Sequence, residues 1–230
     1  MNVFVDTAVR LFDADGDEDL DLYVASGGSQ FAQNSPLYQD RLYLNNGQGV
    51  FKKNPKALHK LYSNSSCVRS ADFDRDGDLD LFIGGRGLAG KYPHPGRSQL
   101  LVNNKGNFKE QSKALAPELS NIGMVTDAVW ADYNQDGWTD LIVVGEWMQP
   151  TFFKNNEGQL SQDAQALAAA LRGWWFHIEA SDLDSDGDLD FVVGNMGTNH
   201  KYKASDQKPL LVYSNDFDQN NTNDIVLAKN

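Results

Sequence analysis

DFDRDGDLDLFIGG, residues 72–85, sets carboxylates at Asp72, Asp74, Asp76, Asp78 and Asp80 and follows them at once with a run of apolar residues closed by two glycines. The pattern, D-x-[DN]-x-[DN]-x-x-x-D before an apolar residue, is written four more times. The first copy holds Asp13, Asp15, Asp17, Asp19 and Asp21, and the third Asp132, Asn134, Asp136, Trp138 and Asp140. The fourth holds Asp182, Asp184, Asp186, Asp188 and Asp190, and the fifth Asp216, Asp218, Asn220, Thr222 and Asp224. Carboxylates this close resist joint ionisation unless a cation sits among them. Each copy therefore reads as a cage for a hard, oxygen-seeking ion.

No copy contains cysteine or histidine, so zinc, copper and iron are poorly served, whereas carboxylate and amide oxygens suit calcium. Magnesium is the weaker alternative, because it keeps several waters and disfavours crowded protein cages. In the calcium reading, side chains at loop positions one, three, five and nine bind, and position seven supplies a backbone carbonyl, from Asp19, Asp78, Trp138, Asp188 and Thr222. Position six is Gly77, Gly137 and Gly187 in three copies, the residue a turn with positive φ favours; Glu18 and Asn221 stand there in the others. About four to five ions are expected.

An EF-hand begins with the same acidic run but needs a bidentate Glu at position twelve between two helices. Here that position is Val24, Ile83, Val143, Val193 and Leu227. The flanks, such as Leu141-Ile142-Val143-Val144 and Phe191-Val192-Val193, are short β-branched or aromatic runs that read as buried strands. The cages thus sit in the turns of β-hairpins.

The acidic turns also explain the net charge of −12: their aspartates are 21 of the 32 acidic residues, and five divalent ions would leave roughly −2. With no basic face, nucleic-acid binding is not expected. No apolar stretch approaches the ~18 residues of a membrane span and no signal peptide is evident. The first and last residues suggest an excerpt of a larger protein. The single Cys67 rules out an internal disulfide.

The acidic turn belongs to a longer repeat. A strand leads into each cage, and the strand after it is followed by a third, Arg41-Leu42-Tyr43-Leu44, Gln99-Leu100-Leu101-Val102 or Thr151-Phe152-Phe153-Lys154. Each third strand ends at a pair of asparagines, and Phe51, Phe108 or Leu160 then opens a short outer strand. Four strands per unit is the anatomy of a propeller blade. The fold expected is all-β, a β-propeller of four-stranded antiparallel blades, about four of them, over residues 6–55, 65–112, 124–160 and 174–230. The fifth cage, only 34 residues after the fourth, is placed in the outer hairpin of the fourth blade, with a shortened fifth blade as the alternative.

These units resemble FG-GAP/VCBS repeats, the calcium-bearing blades of the integrin α-chain propeller. Their wording is similar to the bacterial ASPIC/UnbV and cartilage-acidic-protein group. The matching phrases are residues 13–28 and 83–98, Gly145-Glu146-Trp147, Gly173-Trp174-Trp175, Gly194-Asn195-Met196-Gly197 and Asn215-Asp216-Phe217-Asp218. The resemblance implies an extracellular, cell-surface or periplasmic calcium-binding module within a larger protein, serving in binding, adhesion or scaffolding toward a protein or glycan.

Other features are weaker. Gly85-Arg86-Gly87-Leu88-Ala89-Gly90 matches a dinucleotide fingerprint, but Lys91-Tyr92-Pro93-His94-Pro95 cannot open the required helix. Trp138, Trp147, Trp174 and Trp175 read more readily as packing than as a sugar platform. His59, His94, His177 and His200 have no zinc-like spacing. Residues 161–172, with Ser161 as N-cap, suggest a short connecting helix. The alternative function, a polysaccharide-acting enzyme, would need an acid/base pair outside the cages, for which Asp127, Glu146 and Glu179 are the candidates. No catalytic constellation stands out among them, so an enzyme is not the expected reading.

Overall fold

The computed structural model describes residues 4–60, 62–166, 172–197, 201–205 and 207–229. Its described residues form four antiparallel sheets. The first is β1 (Asp6–Phe12), β2 (Asp21–Ser26), β3 (Arg41–Leu44) and β4 (Lys52–Lys53) in sequential order. The second repeats the meander with β5 (Ser65–Ala71), β6 (Asp80–Gly85), β7 (Gln99–Val102) and β8 (Lys109–Glu110). A one-turn helix, α1 (Ser112–Leu115), follows β8.

The third sheet has six strands because two units share a pairing. β9 (Met124–Ala131), β10 (Asp140–Met148), β11 (Thr151–Asn156) and β12 (Gln159–Gln162) form the meander. At its far end β10 also pairs with β13 (Gly173–Ser181), which carries β14 (Asp190–Asn195) beyond it. The register shifts between Glu146 and Met148, and the residue between them, Trp147, takes φ 60°. The last sheet is the hairpin β15 (Leu210–Asn215) and β16 (Asp224–Lys229).

Two sequence expectations change. The fifth acidic turn does not lie in an outer hairpin of the fourth unit: it joins β15 to β16, which form a sheet of their own. Its place between a leading and a second strand is the one all other copies hold, because the nonapeptide closes a hairpin whatever follows. In residues 161–172, Ser161 and Gln162 belong to β12 rather than to a helix start, since they complete the ladder with Lys154 and Phe153. Asp163 instead caps a turn, accepting from the amides of Gln165 (2.8 Å) and Ala166 (3.2 Å). Residues 167–171 lie outside the described residues.

The core lies between units rather than within them, because a four-stranded sheet can bury its apolar residues only against a neighbour. Phe12, Tyr23 and Leu42 of the first unit pack on Val68, Leu81, Ile83 and Leu101 of the second. Phe73, Phe82 and Leu100 meet Ala128, Leu141, Val143 and Phe153 of the third, and Ala131, Ile142 and Val144 meet Trp175 and Ile178 of the fourth. The leading strands run side by side in chain order, β1 on β5, β5 on β9 and β9 on β13. Side-chain hydroxyls one step along each seam link them: Thr7 Oγ1 donates to the Ser65 carbonyl (2.7 Å), Ser66 Oγ to Val125 (2.6 Å) and Thr126 Oγ1 to Trp175 (2.8 Å). Among the described residues no sheet closes on itself, and no helix is long and apolar enough to cross a membrane. Cys67 is buried, and burial pushes its thiol up to about 12.

Candidate metal centres

All five acidic turns adopt one conformation. Position six has positive φ in each, whether Glu18 (69°), Gly77 (94°), Gly137 (88°), Gly187 (95°) or Asn221 (64°), so the non-glycine residues there do not break the turn. Position four is left-handed as well, in Gly16, Arg75, Gln135, Ser185 and Gln219, which the sequence pattern did not reveal. Left-handed backbone costs a non-glycine residue roughly 1–2 kcal/mol, and one such residue in each of the first four turns and two in the fifth persist only where other contacts impose them.

Those contacts are the carboxylates. The position-one aspartate accepts from the position-six amide in every copy: Asp13 from Glu18 (2.9 Å), Asp72 from Gly77 (3.2 Å), Asp132 from Gly137 (2.8 Å), Asp182 from Gly187 (3.1 Å) and Asp216 from Asn221 (2.8 Å). The position-seven amide donates to the position-five side chain, Asp19 to Asp17, Asp78 to Asp76, Trp138 to Asp136, Asp188 to Asp186 and Thr222 to Asn220, at 2.7–3.2 Å. Position nine spans the hairpin: Asp21, Asp140, Asp190 and Asp224 accept from the amides of Ala14, Tyr133, Leu183 and Phe217. Each turn thus gathers its acids around one point.

Carboxylate oxygens of Asp13, Asp15 and Asp17 lie within 4.8 Å of one another, as do those of Asp72, Asp74 and Asp80, of Asp182, Asp184 and Asp190, and of Asp216, Asp218 and Asp224. Buried oxygens of Asp15, Asp19, Asp72 and Asp80 have no hydrogen-bond partner. The same holds for the buried Asn134 amide nitrogen, whose place its oxygen can take by rotation. Buried acceptors without donors cost about 1–3 kcal/mol each, and a cation would satisfy several at once. The donor set is all oxygen, so the residues fit calcium.

The electrostatics agree. Burial, then neighbouring carboxylates, raise Asp15 and Asp74, and burial, opposed by backbone amides, pushes Asp80 up to about 8 and Asp140 to about 6. Burial also raises Asp21. Asp186 raises Asp188 through its charge, while the Trp138 amide, helped by Lys154 at 3.1 Å, lowers Asp136. An acid whose folded value is raised loses stability on ionising, so in chelator the Asp80 turn weakens as pH climbs from about 4 to about 8. Asp80→Asn therefore reverses sign: in EDTA near about pH 9 the variant melts above the wild type, and in calcium below it, as scanning calorimetry in the two buffers would show.

Sequence reading did not reveal the asparagines that join consecutive turns. Asn103, directly after β7, and Asn155, near the end of β11, follow one rule: their backbone amides donate to Asp80 (2.8 Å) and Asp140 (2.7 Å). Their side-chain amides reach back to the preceding unit, Asn103 to the Ala14 carbonyl (2.8 Å) and Asn155 to that of Phe73 (2.7 Å). Asn45 holds the matching place in the first unit, its amide on Asp21 at 2.8 Å. The turn glycines Gly106 and Gly158 press against the Asp15 and Asp74 side chains, where an added Cβ would stand 3.0 and 3.2 Å away. Arg75 completes a link from the second turn to the third, donating to the Gly137 carbonyl and lying 4.1 Å over the Trp138 ring. The only advance signal was the recurrence of Asn-Asn after each third strand.

The remaining candidates separate. Glu146 is bound to Arg86 and to the Tyr92 hydroxyl (3.0 Å), Asp127 to Arg69 and His177, and Glu179 to the other ring nitrogen of His177 (3.0 Å). The Gly85–Gly90 segment folds back on itself, with the Leu88 amide on the His94 carbonyl (2.9 Å) and no helix after it, so it forms no dinucleotide cradle. His200 lies outside the described residues.

No curated protein matches the chain. Among solved structures, a lectin of Agrocybe aegerita, described as specifically recognising non-reducing terminal N-acetylglucosamine, aligns at TM-score 0.44 and 15% identity. The alignment covers 96% of this chain, which spans about half (51%) of that structure's length. A family model for the FG-GAP-like repeat matches residues 9–83 and 132–193, more than half of the sequence and four of the five acidic turns. With those turns set between paired strands of repeated antiparallel sheets, the chain belongs to the FG-GAP-like repeat family.

Proposed function

We propose that the chain is a calcium-braced, β-propeller-type binding module that works outside the cytoplasm as part of a larger protein. The observation that carries this reading is the convergence of buried, unpartnered carboxylate oxygens in turns of one geometry. Asp, Asn and the position-seven carbonyls would hold each ion, which supplies the positive charge the cage lacks. The ion thereby stiffens a hairpin end on which the next unit leans. The propeller reading is supported by sheets laid side by side through their leading strands around a shared cavity. Oxygen cages of extracellular modules bind at ~10⁻⁴–10⁻³ M, a range filled outside cells and empty in resting cytosol.

Binding is favoured over polysaccharide cleavage. Glu146 is locked between Arg86 and Tyr92 while Glu179 sits on His177, so no two of the candidate acids form a free pair flanking one bond. Titration of calcium into the chelated protein, followed by calorimetry, tests the proposal: four to five oxygen-cage sites are expected, with magnesium weaker at each. Heat no different from dilution would sink it.

A further inference from the structure

The leading strands enclose a cavity of about 780 Å³ at their N-terminal ends, within the ~300–1,000 Å³ usual for small-molecule sites. Part of its wall comes from one recurrent position, six residues before each of the first four acidic turns. In the first three units that residue is Thr7, Ser66 and Thr126. Each hydroxyl has given its proton to a carbonyl of the next leading strand, so what it offers the cavity is lone pairs. Three acceptors therefore line one side.

The fourth member of the series is Phe176, and it breaks the pattern. It has no hydroxyl to donate, lines the cavity, and stays 47% exposed. Its ring continues an aromatic row, 6.4 Å from Trp174, which is 5.2 Å from Trp147. Trp147, in its left-handed conformation, donates to the Tyr92 hydroxyl at 2.6 Å, and Tyr92 lines the cavity opposite. Trp174 Nε1 is buried with no partner. A bulky residue with positive φ and an unpaired buried indole donor are features that cluster at functional sites, and here they stand behind Tyr92 and Phe176 rather than in the lining itself.

Among the described lining residues Arg86 is the only charged one. One of its guanidinium nitrogens is fixed on the fully buried Glu146, which holds the group in place and offsets its charge. A cation would meet Arg86, and an anion would meet a row of oxygen lone pairs. The complement is a neutral ligand with several O–H donors and one apolar face. We infer that this cavity binds a neutral pyranose sugar, stacked on Phe176 and hydrogen-bonded to the hydroxyl row and to Arg86. The inference names a ligand class for the binding module proposed above and rests on that reading, but it does not require the metal.

Saturation-transfer NMR and calorimetry on the calcium-loaded chain would test it with methyl glucoside, methyl galactoside, methyl mannoside and N-acetylglucosamine, and with glucuronate and glucosamine as charged arms. At least one neutral sugar is expected to bind in the roughly millimolar range or tighter, through its ring protons. Phe176→Ala should weaken that binding about tenfold, the scale of one lost aromatic contact, and Arg86→Gln should do likewise when measured below its melting temperature, which falls because the buried Glu146 loses its partner. Val192→Ala, exposed and away from the cavity, should leave it intact. The inference is overturned if no neutral sugar binds, if glucuronate or glucosamine binds better, or if Phe176→Ala binds as the wild type does. Calcium heat without sugar binding removes this inference alone; sugar binding without calcium heat removes the metal reading and leaves the site.

Discussion

Stripped of calcium by EDTA, the protein is expected to melt roughly 6 °C or more below its calcium-loaded form. A ligand that binds only the folded state stabilises by RT ln(1 + [L]/Kd), which at about 2 mM calcium and ~10⁻⁴–10⁻³ M sites gives about 0.6–1.8 kcal/mol per turn. Five turns together contribute on the order of 3–9 kcal/mol, and a domain of this size shifts by about 2–4 °C per kcal/mol. The effect is large because each turn takes two left-handed residues into the fold and gathers like charges, and the first and second turns each add two buried unpartnered oxygens, a cost that the ion offsets. Differential scanning fluorimetry in EDTA and in calcium measures it directly. A common melting temperature in both buffers would show that the turns are held by their backbone hydrogen bonds alone.

The second large effect is expected from Asn155→Ala, about 3–5 kcal/mol of stability lost in calcium and in EDTA alike. The side chain is fully buried. Its nitrogen donates to the carbonyls of Phe73 (2.7 Å) and Thr139 (2.9 Å), and its oxygen accepts from the Gly158 amide (2.8 Å). Alanine leaves two carbonyls and one amide buried without partners, each costing about 1–3 kcal/mol. Because Phe73 belongs to the preceding unit, the loss also loosens the seam between second and third sheets. Asn156→Ala is the control: its side chain is exposed and makes only a 3.4 Å contact with Ser161, so urea unfolding should leave it near the wild type. Equal midpoints for the two variants would refute a bracing role for Asn155.

The two predictions separate the parts of one device. The ion acts inside a turn, between residues no more than eight apart, whereas the asparagine acts between turns, across 82 residues from Asn155 to Phe73. Loss of calcium should therefore weaken every hairpin end at once. Loss of one asparagine should open a single seam while the remaining turns still bind the metal.

The local turn was legible from sequence because every contact that shapes it lies within nine residues. Asp72 meets Gly77, Asp78 meets Asp76, and short-range geometry alone specifies both. The paired strands were legible for a similar reason, since the apolar runs at residues 81–83 and 141–144 can be buried only in sheets. Glu18 and Asn221 adopted the turn despite the missing glycine, because hydrogen bonds to Asp13 and Asp216 impose the conformation that glycine merely permits. Tertiary structure decided what depended on distant partners. Ser161 became a strand residue because β11 offered it an unpaired edge, and this outweighed a weak helical preference. Asn103 and Asn155 looked like ordinary turn residues until the preceding unit supplied the carbonyls they bind. Thr7, Tyr92 and Phe176, far apart in the chain, met at one cavity only because the leading strands lie side by side. Repetition writes the hairpin into the sequence, but the seams between hairpins form through side chains far apart along the chain, and only packing brings them together.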